Sequence, residues 1–479
     1  MIRKNLPLIV GVILTVILFL KGAEALRSTF LPAWPGYGSR EYIRFDAPVI
    51  ALTHIRVIDG TGARPIDDTN LVISNGKIQA MGNAATALVR QSAEVFNGTG
   101  YSVIPGLVGM HDHLFYRGVR RTAGYSEREM GFAFPRLYLA NGVTTIRTAG
   151  AITPYTDLRL KQQIDRGWVI GPKICLTGPY MGFGTPEAIK KLVEAWADRG
   201  VTWFKAYMHI TRAQLGAAIR AAHQRGLRVT GHLCAVGYDD AVAVGIDNLE
   251  HGLLEDTEFD PGATPDVCPP EDVTDRTLAS LDIDGPQVQG LMRELVQHNV
   301  AITSTLPVFE TFTPFRAPED DRALQALDAQ TLEDYRAVRA FTNEHGNSSL
   351  WPVLLRKEMQ FERAFVKAGG LLLAGEDPTG GGGNLAGFGD QRELELLVEA
   401  GFTPIETIHI ATSNGAAFLG QPQHIGTLEK GKQADLVVTR GDPSTNISDI
   451  EKVEIVFKDG IGYDSAKLIE SVRESVSLH

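Results

Sequence analysis

Between residues 103 and 377 eight short apolar runs alternate with helical stretches, and this alternation constrains the fold more than any other feature of the chain. The runs are VIPGLVGMHDHL (103–114), VTTIRTAG (143–150), KICLTGP (173–179), TWFKAY (202–207), RVTGHL (228–233), NLEHG (248–252), AITSTLP (301–307) and LLLAGED (371–377). Strands covered on both faces read as near-continuous apolar segments, the condition of parallel strands joined by helices. Eight β-then-α units predict an α/β fold, a (β/α)8 TIM barrel, with catalytic groups at the C-terminal strand ends and in the loops that follow.

Chemistry-bearing residues fall at those ends. His111 and His113 close the first run, Lys205 lies in the fourth, His232 ends the fifth, His251 the sixth and Asp377 the eighth. Side chains alternate with period two along a strand, so His-x-His sends both imidazoles to one side, where both can reach one metal. A lone barrel histidine is more often a satisfied core residue than a ligand. Six such residues at strand ends instead point to a metal centre. Imidazole nitrogen and carboxylate oxygen suit Zn2+ and similar ions, and a catalytic site keeps a position open for water.

Lys205 bears on whether one ion or two are bound. An ammonium buried in a barrel strand beside metal cations is disfavoured by desolvation and by like-charge repulsion. The side chain must therefore be neutral, paired with a carboxylate such as Glu250 or Glu376, or chemically changed. Reaction of its amine with CO2 would give a carbamate able to bridge two ions.

Other residues near the strand ends have two readings. Tyr207 lies two residues beyond Lys205 and on the same side, where it could hydrogen-bond an oxyanion or a substrate carboxylate, or pack at the barrel mouth. Tyr116, Arg117, Arg120 and Arg121 follow His113, where a guanidinium could pair with a substrate carboxylate or belong to a solvated loop. His209 follows the fourth run and could overlook the site. Gly380 to Gly383 lack a following G-K-[ST] and read as a mobile loop rather than a phosphate cradle. His223 and His409 sit in helical stretches and read as packing or surface residues. Segments 114–135 and 254–300 are expected to set specificity.

Outside the barrel segment (104–419), APVIALTHIRVIDGTG, NLVISNGKIQAMG, IGTLEKGKQADLVVTRGD and VEIVFKDGIGYD alternate apolar and polar residues around turn signals. Segments 45–103 and 420–463 are each too small to bury a core alone and are expected to pair as one small β-sandwich, with 464–479 a helical tail. Arg3 and Lys4, the apolar run Leu6 to Leu20 and Ala23-Glu24-Ala25 read as a signal peptide cleaved after Ala25, or as a retained membrane anchor, followed by a connecting arm (26–44). Either reading puts the enzyme outside the cytoplasm, periplasmic or extracellular. The net charge of −11 comes from acids spread along the chain, with no basic stripe, which excludes a nucleic-acid surface. Cys175, Cys234 and Cys268 form neither a C-x-x-C pair nor a disulfide framework and read as buried or incidental thiols.

IPGLVGMHDHL, FKAY, GHL, LEHG and AGEDP resemble successive metal-site segments of the amidohydrolase superfamily. ATSNGAAFLG…IGTLEKGKQADLVV looks like that superfamily's exit from barrel to small β domain. The resemblance spans about 50–463 and is nearest to the imidazolonepropionase-like and prolidase-like group with a carboxylated lysine. It implies two zinc ions: His111, His113 and Asp377 on the more buried, His232 and His251 on the more exposed, and carboxylated Lys205 bridging both. It further implies attack by a bridging hydroxide, with Asp377 moving the proton to the leaving nitrogen. Glu376 departs from the small or hydroxyl residue that often precedes the family aspartate, which puts specificity in doubt.

The leading expectation is hydrolysis of an amide (C–N) bond in a dipeptide or N-acyl amino acid. The alternatives are opening of a cyclic amide or lactone, deamination, or a barrel kept as a binding module. Expected partners are a small-molecule or short-peptide substrate and no nucleic acid, with a membrane tether and a homo-oligomer left open.

Overall fold

The computed structural model describes residues 40–92, 94–316 and 320–479. The expected signal or anchor segment, and all but the end of the connecting arm, lie outside the described residues. Among the described residues no helix is long and apolar enough to cross a membrane.

Eight parallel strands follow the eight apolar runs: β1 (Leu107–Asp112), β2 (Val143–Thr148), β3 (Lys173–Cys175), β4 (Trp203–Met208), β5 (Arg228–Leu233), β6 (Asn248–Glu250), β7 (Ala301–Ser304) and β8 (Leu372–Ala374). Their ladders form an arc of three, ordered β3-β2-β1, and an arc of five from β4 to β8. Isolated bridges pair Thr177 with Trp203 and Met181 with Ala206 across one gap. Across the other, the N–H of Asp377 donates to the His111 carbonyl at 2.9 Å. The chain thus has a TIM-barrel-like α/β fold, while the continuous closed ladder expected from sequence is interrupted twice. β3 is only three residues long, and Asp377 leaves extended geometry at φ 49° just past β8.

Helices follow the strands and cover the outside of both arcs. The helix Arg212–His223 shows how sequence sets their starts: the Thr211 side chain accepts from the Gln214 N–H, and Gln214 accepts from the Thr211 N–H at 2.7 Å. This reciprocal cap satisfies donors that the first helical turn leaves open. The barrel floor is apolar, where Val108, Met110, Trp203, Ala301 and Leu373 cluster with Phe418 and Ile425.

The N- and C-terminal segments meet in one nine-stranded hydrogen-bonded sheet. Its order runs Ile43–Phe45, Ile461–Asp464, Val453–Lys458, Leu436–Arg440, Tyr101–Pro105, Val49–Val57, Ile66–Ser74 and Lys77–Met81, with Glu94–Asn97 pairing beside Val49–Val57. A single strand changes partners: Ile50–Thr53 pairs with Glu94–Asn97, and Arg56–Val57 with Ser102–Val103. His54 lies between the two halves at φ 55°, where the register also shifts, so a bulge turns the strand from one neighbour to the next.

Other expectations need correction. Cys234 and Cys268 are not incidental thiols but form a disulfide, while Cys175 is free and half-buried. Sequence could not show it, because 34 residues separate the pair and only the fold of the loop after β6 brings Cys268 back to the end of β5. The segment after β1 is an antiparallel hairpin, Phe115–Arg120 against Gly124–Glu129, rather than a loop. The C-terminal tail is helical over Ser465–Glu470, after which Val476 bridges to Leu327.

Gly106 joins the two sheets, its N–H donating to the Asp435 carbonyl at 2.9 Å. A Cβ at this position would collide with the Thr144 side chain of β2. Gly106→Ala is expected to cost about 1–3 kcal/mol, the usual penalty for overpacking, read as a lower urea midpoint at unchanged slope.

Candidate metal centre

The site begins with a buried polar layer above the apolar floor. Arg147 of β2 is fully buried; its Nη1 donates to Asn248 at 2.9 Å and its Nη2 to Glu250 at 2.7 Å. Thr230 of β5 donates to Glu250 as well. Burial pushes the Glu250 carboxyl up, but Arg147, Lys205 and His111 outweigh it and hold the group well below the usual carboxylate range. An ionised Glu250 can only accept hydrogen bonds. His111 Nδ1, 2.8 Å away, must therefore be the donor, which leaves Nε2 with a free lone pair.

The other imidazoles are held in the same way. His113 Nδ1 lies 3.3 Å from the Gly150 carbonyl, which can only accept, and His251 Nδ1 lies 2.7 Å from the Thr305 hydroxyl. The three Nε2 atoms converge on Asp377: His113 at 3.5 Å, His111 at 3.6 Å and His251 at 4.0 Å. Burial lowers the pKa of all three, His113 to about 3, so they are neutral imidazoles. Burial would raise the Asp377 carboxyl, yet His111, His113 and Lys205 together keep it low. His251 and Asp377 both have left-handed backbones, at φ 67° and 49°. Such conformations cost about 1–2 kcal/mol in a residue with a Cβ and cluster at functional sites.

Ligand atoms of His111, His113 and Asp377 all lie within 4.8 Å of one another, as a metal site requires. His251 Nε2 and Asp377 Oδ1 are buried without hydrogen-bond partners, an arrangement native proteins rarely leave uncompensated. His232 lies one ring away, 4.7 Å from His251 between centroids, with its Nε2 3.1 Å from Glu255. Lys205 is 1% exposed and its amine is pushed down to about 8 by burial. Its Nζ is 3.9 Å from Glu250 Oε1, an oxygen already engaged by Arg147 and Thr230.

The family model for the amidohydrolase family matches residues 102–461. The chain belongs to the amidohydrolase family. Imidazolonepropionase of Stenotrophomonas maltophilia is 31% identical over 103 residues, 21% of this chain, and the chain spans only 25% of that relative's length. Two solved structures share the fold over most of the chain. A putative prolidase from Bifidobacterium longum is 23% identical with TM-score 0.62, covering 89% of this chain and 99% of its own. A Xaa-Pro dipeptidase with bound methionine is 19% identical with TM-score 0.64, covering 87% of this chain and 100% of its own.

Within this amidohydrolase-family fold the other sequence candidates separate. Tyr207 and Arg117 line the cavity over the centre. Tyr116 does not, because it is buried and accepts from the Gly383 N–H at 2.9 Å, and Arg121 turns away to Glu333 at 3.0 Å. His209 is exposed, His223 pairs with Asp247 at 2.9 Å, and His409 Nδ1 lies 2.8 Å from the Gly60 carbonyl. Gly380 lines the cavity, whereas Gly382 and Gly383 line a separate one. Glu376 is fully buried and accepts from the Asp390 N–H at 3.1 Å, so it faces the helix layer rather than the substrate side.

Sequence reading missed Arg147, Thr305 and Glu255. Arg147 carried the same signal as Lys205, a cation inside an apolar strand, and the buried-charge argument applied to it would have found the Arg147–Glu250 pair. Glu250→Gln leaves Arg147 buried without its counter-charge. It should cost about 3–5 kcal/mol, measured by chemical denaturation.

Proposed function

We propose that this chain hydrolyses an amide C–N bond in a dipeptide or N-acyl amino acid at a centre of two divalent ions, with zinc the expected metal. The observation that carries the reading is the convergence of three neutral imidazoles on Asp377, with His251 Nε2 and Asp377 Oδ1 buried without hydrogen bonds. These donors fit a metal. His111, His113 and Asp377 would hold one ion, His232 and His251 the other, and Lys205, as a carbamate, both. Bound there, such ions would lower the pKa of a water to near neutrality and polarise the scissile carbonyl.

The chain's own residues supply the rest. The Asp377 carboxylate takes the proton from the attacking water and passes it to the leaving nitrogen. The Tyr207 phenol, its pKa raised by burial, stays protonated and can donate to the oxyanion. The amine of Lys205, fully buried and pushed down to about 8, has a neutral fraction able to add CO2 with loss of a proton. Glu250 fixes the orientation of His111, and Thr305 that of His251, as partners behind metal ligands do. Opening of a cyclic amide is the second reading; it draws on the imidazolonepropionase relatives, over a quarter of their length at most.

We also propose that the chain works outside the cytoplasm. The apolar run Leu6 to Leu20 supports this, as does the Cys234–Cys268 disulfide, since disulfides persist in oxidising compartments. Mass analysis of the protein purified from its natural host should find a chain beginning after Ala25 or an intact anchored chain in the membrane fraction. An intact chain in the cytosol would exclude export.

Elemental analysis should find about two divalent ions per chain, and Lys205→Ala should retain one or none and lose turnover on a panel of dipeptides, N-acyl amino acids and cyclic amides. One ion in both proteins would exclude the bridged centre. Asp377→Asn should lower kcat about 10²- to 10⁴-fold while KM moves little.

A further inference from the structure

The cavity over the candidate centre has a volume of about 450 Å3, with His232, His251 and Asp377 among its lining residues. Its lining residues differ in chemistry. Beyond β7, Phe309, Phe312 and Trp351 form an aromatic wall. Trp351 lies 5.9 Å from Phe309 at an interplanar angle of 22°, and 4.8 Å from Phe312 at 32°. Phe309 in turn meets His251 edge-on at 5.9 Å, so the wall begins beside a candidate ligand. Phe309 is buried by the protein, while Trp351 and Phe312 keep part of their surface open.

Arg117, from the hairpin after β1, also lines the cavity and acts electrostatically on Tyr207 of β4, three strands round from β7. Its guanidinium lies 4.4 Å from the Tyr125 ring centroid. Its Nε makes no hydrogen bond, and its ion-pair partner Glu127 is 3.6 Å away. Arg117 is the only lysine or arginine among the described residues lining the cavity, which Glu255, Glu271 and Asp275 also line. A substrate carboxylate is repelled by those carboxylates and drawn to Arg117.

This arrangement orients an amide substrate. When the leaving half is an amino acid, its carboxylate is one carbon from the leaving nitrogen. With that nitrogen at Asp377 and the carboxylate at Arg117, the acyl half must extend away from Arg117, toward the aromatic wall. An acetyl group would leave most of the wall in contact with water, whereas a flat aromatic or long apolar acyl group would cover it. We infer that Phe309, Phe312 and Trp351 form an acyl subsite selecting N-acyl amino acids with a large apolar or aromatic acyl group, with Trp351 the specificity-determining residue. The inference rests on the amide-hydrolase reading above and adds the side of the scissile bond on which selection is made.

The test uses pairs of compounds that share one amino acid and differ only in acyl group, 2-naphthoyl against acetyl. They are assayed on the metal-loaded full chain and on Trp351→Ala and Phe312→Leu variants whose thermal unfolding matches wild type. In the wild type kcat/KM for the naphthoyl compound should exceed that for the acetyl compound by about tenfold or more. Trp351→Ala should remove most of that ratio through the naphthoyl substrate alone, and Phe312→Leu should reduce it. Equal loss on both substrates, or an acetyl preference in the wild type, overturns the inference. Binding of the same pairs to Asp377→Asn by calorimetry separates the two readings. If neither compound is hydrolysed but the naphthoyl compound binds about tenfold tighter and loses this with Trp351→Ala, the hydrolase reading fails and the subsite stands. If both are hydrolysed but bind and react alike, the subsite fails and the hydrolase reading stands.

Discussion

The ion pair between Arg147 and Glu250, sealed inside the barrel, is the interaction on which the rest of the site depends. Neither side chain is exposed. Two charges are costly to bury, and their attraction compensates only when the remaining donors and acceptors are also satisfied. Here they are largely satisfied: Glu250 accepts from Arg147, Thr230 and His111, and Arg147 also donates to Asn248 and to the Met110 carbonyl. The Arg147 guanidinium further lies 5.0 Å from the Trp203 ring of the apolar floor. The pair therefore links an apolar base to a layer of ligand atoms. It gives His111 one tautomer, sets Glu250 Oε1 3.9 Å from the Lys205 amine, and does so from rigid strands rather than loops. Geometry built on strands in this way can be held tightly enough for chemistry.

Above that layer the cavity walls come from elements of different stiffness. On one side the Cys234–Cys268 disulfide begins two residues past His232 and pins the loop after β6 to the end of β5, where Thr257 also donates to the Cys234 carbonyl at 2.7 Å. On another the hairpin Phe115–Arg120/Gly124–Glu129 brings Arg117 and Tyr125 over the mouth. The aromatic wall comes from two helices, the second half of Leu306–Phe312 and the start of Trp351–Lys367.

What sequence reveals here follows from how local each signal is. The eight strands were legible, and so was the grouping of His111, His113, His251 and Asp377 at their ends, because strand period and strand-end position are local properties and each residue type limits its own chemistry. The break in the ladder at Asp377 was not, because it depends on a backbone conformation that no neighbouring residue announces. The disulfide was hidden by 34 intervening residues. The walls were half legible: segments 114–135 and 254–300 do contribute Arg117, Tyr125, Glu255 and Cys268, but nothing local to Phe309, Phe312 and Trp351 marks them as wall residues. Only the docking of two helices against one strand end makes them a surface.

The same parity that gathers His111 and His113 explains where Asp112 and Glu376 sit. In His-x-His both imidazoles face inward, so the residue between them, Asp112, must face outward into the helix layer. Glu376, next to Asp377, is sent outward for the same reason, and the helix Phe388–Glu399 presents Asp390 to both. Ligand atoms of the three carboxyls lie within 4.8 Å of one another, and all three side chains are buried. Burial raises each carboxyl, and each is raised further by its neighbours or, for Asp390, brought to about 7. Three ionised carboxylates cannot coexist there, whereas protonated ones can donate to one another. Glu376 is then no arbitrary departure from a family pattern. A carboxyl at 376 suits a chain that places carboxyls at 112 and 390, and its role lies in packing strand ends against a helix rather than in choosing a substrate.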